Sequence, residues 1–481
     1  MPPINMTVEQ LLGIEDALVS DEHPARDDGT FDYERCARLH NYLVAYGWMA
    51  RHGRDTPDLT ALAEEKRFFS DERNPDRDIG RELLDPSLNA WLDMIYDCTQ
   101  ELFFWVVGLS MLSCDESFCY EENDLEDEGK ARFIVIYNTT PDVYSHCLGV
   151  VYDQQLHRAS FPLTIGSSEN VEPIDEHEEM WFPLETLLTH WIFLIRLGKV
   201  VVGLSACGSQ HRAQEGLWSW LPYCDAQVDN TVAAIERYLV AVESRMPADS
   251  LLPITGALFS DAELDTASVP QECFIRLVLT RIKSPRFKLI APGLEVPHDK
   301  EAFARRQNFT RIPYHEGTMP AVLIFAASGR TVDFNMELQS LFFECHYNED
   351  LTLSMGTPIF AGLYSEPAVR SRFEPEEAGF RLLLPFALRP DFRDEYGARV
   401  SDGQLVRTGS FTELFQHGCH HPFGGEHRAQ RMERLFDHWT ELIESGVWTV
   451  GEDGVEGGIE TFRDADSGNG AWRNYWIPPD W

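Results

Sequence analysis

Apolar residues recur at helical spacing in five stretches of the chain. Residues 32–50 and 87–113 predict helices. In the second, Leu88, Trp91, Leu92, Ile95, Leu102, Phe103 and Val106 return at near-helical intervals. Residues 184–197 predict an apolar helix, and 228–246 an amphipathic one with Val232, Ile235, Leu239 and Val242 on one face. Residues 427–445 give the clearest stripe, made by Met432, Leu435, Phe436, Trp439, Leu442 and Ile443, with Gly446 placed to end the helix. Shorter apolar runs bounded by Gly, Pro, Asn or Asp predict strands at Arg132–Tyr137, Cys147–Tyr152, Lys199–Val202, Phe274–Thr280, Phe287–Ile290, Ala321–Ala326, Leu341–His346 and Arg381–Leu388. Strands mixed with helices predict an α/β fold, with a mixed α+β arrangement as its variant. The expected form is a central mixed sheet flanked by helices, closed by a C-terminal amphipathic helix and a docked aromatic tail. Pro247–Pro270 is rich in Pro, Ser, Ala and Asp. It divides the chain into an N-terminal α/β region 1–248, a linker-like segment 249–270 and a C-terminal α/β region 271–481. No internal repeat or low-complexity tract is visible.

Composition narrows the classes. The chain has 481 residues, 43% apolar and 12% aromatic, enough for a sizeable core. Disordered, coiled-coil and collagen-like chains are excluded. The 79 acids against 40 bases leave a formal charge of −39, which excludes a generally basic nucleic-acid binder but leaves room for a local basic patch. The opening MPPINMTVEQLLGIEDAL lacks a basic region followed by a long apolar one, and it is not rich in Arg. The run Leu102–Leu112 is shorter than a membrane span, and Trp191–Leu204 carries Arg196 and Lys199. The ten cysteines form no C-x-x-C pair, so reduced, mostly buried thiols and a cytosolic location are the expectation.

Four segments have chemistry to offer. Lys199–Val202 runs into Gly203-Leu204-Ser205-Ala206-Cys207-Gly208, where Ser205 after a strand can be presented as a nucleophile, although the G-x-S-x-G pattern of an esterase is missing. His211 and His190 are the nearest candidate bases. His417-Gly418-Cys419-His420-His421 through Glu426-His427 has zinc-ligand residue types without the spacing of a standard finger. Asp464–Gly470 starts like a calcium loop but has Asn469 where Gly belongs and Tyr475 where Glu belongs. From Gln271 to Arg311, nine bases stand against four acids, with Phe274, Phe287, Phe303, Phe309 and Tyr314 interleaved. Bases neutralise phosphates and aromatic faces stack nucleobases, so Arg281, Lys283, Arg286, Lys288, Arg305, Arg306 and Arg311 form a candidate RNA patch. The bland alternative is charge pairing inside the chain, for instance with the eight acids of 115–128.

The end of the chain is the most specific segment. Gly451-Glu452-Asp453-Gly454-Val455-Glu456-Gly457-Gly458-Ile459 is a glycine-rich turn that displays three acids, a composition suited to holding a cation or guanidinium. Phe462-Arg463-Asp464-Ala465-Asp466 follows, and the chain ends Ile477-Pro478-Pro479-Asp480-Trp481. This ending, about the last 35 residues, resembles that of a large family of ascomycete proteins that includes arginine-containing cyclodipeptide synthases. Those enzymes make cyclic Arg-Xaa dipeptides from aminoacyl-tRNAs and carry an essential Asp-Asp-x-x-Glu motif. The matching positions are Glu452, Asp453 and Glu456, with Glu in place of the first Asp. The resemblance implies an aminoacyltransferase whose partners are Arg-tRNA and a second aminoacyl-tRNA. It implies no cofactor, since the aminoacyl ester is already activated, and the chain accordingly carries no P-loop; the apolar runs described above give the expectation of no membrane partner. The Gly-x-Ser placement of Ser205 is weakly similar to the bacterial cyclodipeptide synthases. A non-catalytic interaction protein with an acidic surface, and a metal-dependent hydrolase built on 417–427, remain as alternatives.

Overall fold

The computed structural model describes residues 7–65, 81, 84–97, 99–109, 132–139, 149–161, 180–202, 213–314, 316–343, 353–388, 397–418, 429–468 and 470–479. They fall into two compact units, one up to Trp220 and one from Leu221. Both combine helices with sheets, so the chain is of the α/β class. Among the described residues, no helix is long and apolar enough to cross a membrane.

The first unit contains α1 (Val8–Leu12), α2 (Tyr33–His52), α3 (Leu59–Glu65), α4 (Pro86–Met94) and α5 (Leu184–Leu197). Its main sheet is an antiparallel meander of β1 (Thr99–Phe103), β2 (Val106–Leu109), β3 (Phe133–Thr139), β4 (Gly149–Asp153) and β5 (Arg158–Ser160). A small sheet pairs β6 (Val200–Val202) and β7 (Ala213–Glu215) with β8 (Trp218–Trp220) between them. Aromatic rings fill the core. Phe103 stacks on Trp191 at 5.1 Å between centroids, and Trp105 lies 5.3 Å from Trp220. The helix expected over 87–113 stops at Met94, and Thr99–Leu109 is a hairpin instead. Six consecutive apolar residues, Leu102 to Val107, erase the distinction between periods of two and 3.6. Their β-branched and aromatic types favour strand.

The second unit opens with α6 (Asp225–Glu243), α7 (Asp261–Thr266) and α8 (Phe274–Arg281). It continues through β9 (Leu289–Ala291), β10 (Leu294–Glu295), α9 (Lys300–Arg306), β11 (Thr318–Met319), β12 (Leu323–Asp333), α10 (Met336–Phe343), β13 (Pro358–Ser365), β14 (Ala368–Val369) and β15 (Phe380–Leu383). It ends with α11 (Met432–Glu444), β16 (Val450–Gly451), β17 (Gly454–Val455) and two 3₁₀ turns, Ile459–Asp466 and Ala471–Tyr475. Seven strands form one mixed sheet in the order β15-β13-β12-β10-β9-β17-β16, in which β17 runs parallel to β9 and the other pairs are antiparallel. The six residues of the predicted stripe on α11 are all buried. The helix meets α6 through Tyr238, whose ring lies 5.6 Å from Phe436 and 5.9 Å from Trp439. The aromatic tail is docked, with Phe462, Tyr475 and Ile477 in this unit's core.

Two strand expectations need correction here. Phe274–Thr280 is helix: Phe274, Ile275, Val278 and Leu279 form a buried helical face, and the Glu377 carboxylate accepts from the first free N–H, that of Phe274, at 3.0 Å. The run from Leu341 lies at the end of α10, not in a strand, as far as Phe343; its remainder is outside the described residues. The compact units part at Trp220/Leu221, while the linker-like segment 249–270 packs into the second unit through Leu258, Phe259, Leu264 and Val269. A Pro-rich composition marks irregular backbone, and here that backbone is anchored by buried side chains.

Candidate functional site

The acidic motif sits on a tight hairpin. β16 and β17 pair Val450 with Val455 and Gly451 with Gly454, leaving Glu452 and Asp453 as the two turn residues. Gly454 has φ +115°, and a β-carbon there would collide with the Leu289 carbonyl oxygen, so only glycine brings β17 this close to β9. The turn is fixed from its other side too. The Asp453 carbonyl accepts from the N–H groups of Lys288 (2.8 Å) and Leu289 (2.9 Å), and its carboxylate accepts from Lys288 Nζ at 2.7 Å. The Glu456 N–H donates to the Thr449 carbonyl at 2.9 Å. Glu452, Asp453 and Glu456 are all exposed. The sequence thus builds three carboxylates onto a rigid, solvent-facing corner of the sheet. The glycines that give the motif its character belong to the backbone packing: Gly293, in the β9–β10 turn at φ +71°, lies against Gly458–Ile459 with no room for a β-carbon.

Of the segment's charged side chains, Lys288 reaches this corner. Most of the others face acids elsewhere. Arg281 binds Asp229 at 2.8 Å, Lys283 binds Glu236 at 3.1 Å, and Arg286 lies 4.0 Å from Glu243. Those three acids stand seven residues apart on α6 and make one charged stripe along it. Arg306 binds Glu295 at 3.2 Å, Arg305 faces Glu301 at 3.5 Å, and Arg311 donates to the Ala304 carbonyl at 2.7 Å. Arg276 is buried between Asp261 and Asp265. The aromatics expected to stack bases point inward instead: Phe274, Phe287, Phe303 and Phe309 are buried, and Tyr314 packs against the same core. The signal for this pairing was present in the sequence, in the heptad spacing of Asp229, Glu236 and Glu243. The acidic run 115–128 lies outside the described residues.

The remaining candidates separate from this corner. Ser205 and His211 lie outside the described residues. His190 lies on α5. Of the His/Cys cluster, His417 is described, with Nδ1 3.0 Å from the hydroxyl of the buried Ser401; residues 419–428 are outside. Among the described residues, no group of three or more His, Cys, Asp or Glu side chains is arranged to hold a metal ion. In the calcium-like run, the Asp466 carboxylate accepts from the Ala398 N–H at 2.9 Å and Ala465 is buried, so that segment serves to dock the tail. As far as Pro479, the segment that carries the resemblance falls on a hairpin and a docked tail within the second unit, and Asp480 and Trp481 lie outside the described residues. In comparison with known proteins, the chain matches no family model, no curated protein and no solved structure.

Proposed function

We propose that this chain is an aminoacyltransferase that forms an arginine-containing cyclic dipeptide from Arg-tRNA and a second aminoacyl-tRNA. The observation that carries the reading is the hairpin 450–455, which holds Glu452 and Asp453 at its turn and Glu456 just beyond it, exposed on a backbone fixed by Lys288 and Leu289. Carboxylates so placed can hold a guanidinium and accept a proton from the attacking α-amine. The tRNA would be gripped through charge alone. The pairs Arg281–Asp229, Lys288–Asp453 and Arg305–Glu301 are solvent-exposed, and exposed pairs are worth only about 0–1 kcal/mol, so phosphates can compete for these cations. Ser205 is the hydroxyl we assign to an acyl-enzyme step, in which Oγ attacks the ester carbon, the tRNA 3′-oxygen leaves, and the hydroxyl proton passes to a base.

The test is expression in a microbial host with metabolite profiling of wild type, Asp453→Asn and Ser205→Ala. The wild type should yield a cyclic Arg-Xaa product. Asp453→Asn should lose at least about tenfold in yield, the effect of roughly 1.5–3 kcal/mol for one charge-assisted contact. No such product from the wild type, or full yield from Asp453→Asn, removes the reading. A product unchanged by Ser205→Ala removes the acyl-enzyme alone. A non-catalytic interaction protein is the second reading, favoured by the α6 stripe that already matches part of the basic segment. It expects no product, and binding of basic partners that weakens with salt.

A further inference from the structure

The first unit carries a cavity remote in sequence from the acidic motif. The chain after α1 folds back as a loop around Arg35 of α2. The Arg35 guanidinium donates to the carbonyls of Ala17 (2.7 Å), Leu18 (2.9 Å), His23 (2.7 Å) and Pro24 (2.7 Å). The Val19 N–H donates to Thr189 Oγ1 on α5 at 3.0 Å. Between this pinned loop and α5 lies a cavity of about 530 Å³. That size falls within the range of small-molecule sites, and its walls are held without a ligand. Leu18, Val19 and Phe193 supply an apolar surface. Phe193 is 47% exposed, whereas its helix neighbours Ile192 and Leu194 are buried.

The wall carries a surplus of negative charge. Arg196 is tied by two nitrogens to Glu15, at 2.8 and 3.0 Å, and Asp16 is held likewise by Arg38 at 2.7 and 2.9 Å. The hydrogen bonds from these arginines hold Glu15 below its usual range and Asp16 down to about 2, so both stay ionised across the physiological range. Glu22 lines the same cavity and has no cationic partner among the described residues. Arg196 is paired, Glu22 is a solvent-facing carboxylate without an ion-pair partner among the described residues, and the half-exposed Phe193 ring lines the same cavity.

We propose that this cavity binds a small amphipathic cation, with a flat apolar body against Phe193 and an amidinium, guanidinium or ammonium head at Glu22. An aromatic ring and a cation attract each other at such a rim, and a carboxylate adds a charge-assisted hydrogen bond. A neutral molecule of the same shape lacks both terms. The site is defined by residues 15–196 and stands whether or not the acidic hairpin is catalytic.

The experiment is calorimetric titration of the full chain with benzamidine and with benzamide, its neutral isostere. Benzamidine should bind saturably at about millimolar affinity or tighter, and benzamide at least about tenfold more weakly. Glu22→Gln and Phe193→Ala should each weaken benzamidine at least about fivefold; the unfolding temperature should be unchanged for the exposed Glu22 and lowered by no more than a few degrees for the half-exposed Phe193. Equal binding of the two probes, no saturable binding, or benzamidine affinity indifferent to both substitutions would overturn the assignment.

Discussion

His40 is fully buried, with Nε2 2.8 Å from the Tyr96 carbonyl and Nδ1 2.9 Å from the Tyr137 hydroxyl. A carbonyl can only accept, so Nε2 donates and Nδ1 accepts from the tyrosine in the neutral ring. Burial lowers the imidazole pKa from 6.5 to about 4. The unfolded chain therefore binds this proton first as pH falls, and the stabilisation is complete above 6.5 and lost on the way down to 4. By pH 5.5 the loss is about 1.4 kcal/mol. Urea unfolding between pH 7.5 and 5.5 should show this slope, and His40→Gln should flatten it; an unchanged slope contradicts the assignment. At Gly454 the constraint is steric. Gly454→Ala removes no charge, yet it should destabilise the second unit by more than about 1 kcal/mol and, if the proposed synthase activity holds, reduce product formation together, because the hairpin cannot stay against Leu289. Thermal unfolding measured beside product yield checks it. The positive φ of Gly454 was foreseeable from a glycine-rich turn, but its collision partner, far earlier in the sequence, was not.

At the scale of elements, α6 shows how a charge pattern can be read in two ways. Asp229, Glu236 and Glu243 face Arg281, Lys283 and Arg286 from one stripe. Neutralising the stripe as Asp229→Asn, Glu236→Gln and Glu243→Gln frees three cations for phosphate. If the segment grips tRNA, retention at low salt should rise, and the salt dependence should steepen by roughly 0.7–0.9 in log–log slope per freed cation. Retention unaltered by the triple change would leave the segment a folding partner only. Elements with one clear period were legible: α5, α6 and α11 lie where their stripes predict, within a few residues. Thr99–Leu109 and Phe274–Arg281 were not, because short apolar runs carry two periods at once and the deciding contacts come from distant chain, such as Glu377 capping α8. The acidic motif could be found as residues, while its hairpin geometry depends on β9.

At the scale of the molecule, the division at Trp220/Leu221 was hidden because neither neighbouring composition nor a linker marks it. The last residues are part of the second unit's core through Trp448, Ile459, Phe462 and Tyr475. Ending the chain at Ser445 removes these side chains and the β16–β17 hairpin together. Such a truncation should lose the cooperative unfolding transition of the second unit while the first keeps its own, as followed by calorimetry; a full-size second transition would contradict the packing described. β17 pairs beside β9, and Lys288 and Asp453 are 165 residues apart in the chain. On the ribosome, then, β9 is synthesised long before the strand that covers it, and it waits with an unpaired edge. The sheet closes only once β17 has left the ribosome, so the second unit completes its folding late in its own synthesis. A prematurely stopped chain would keep that edge bare and be a natural client of chaperones and proteases.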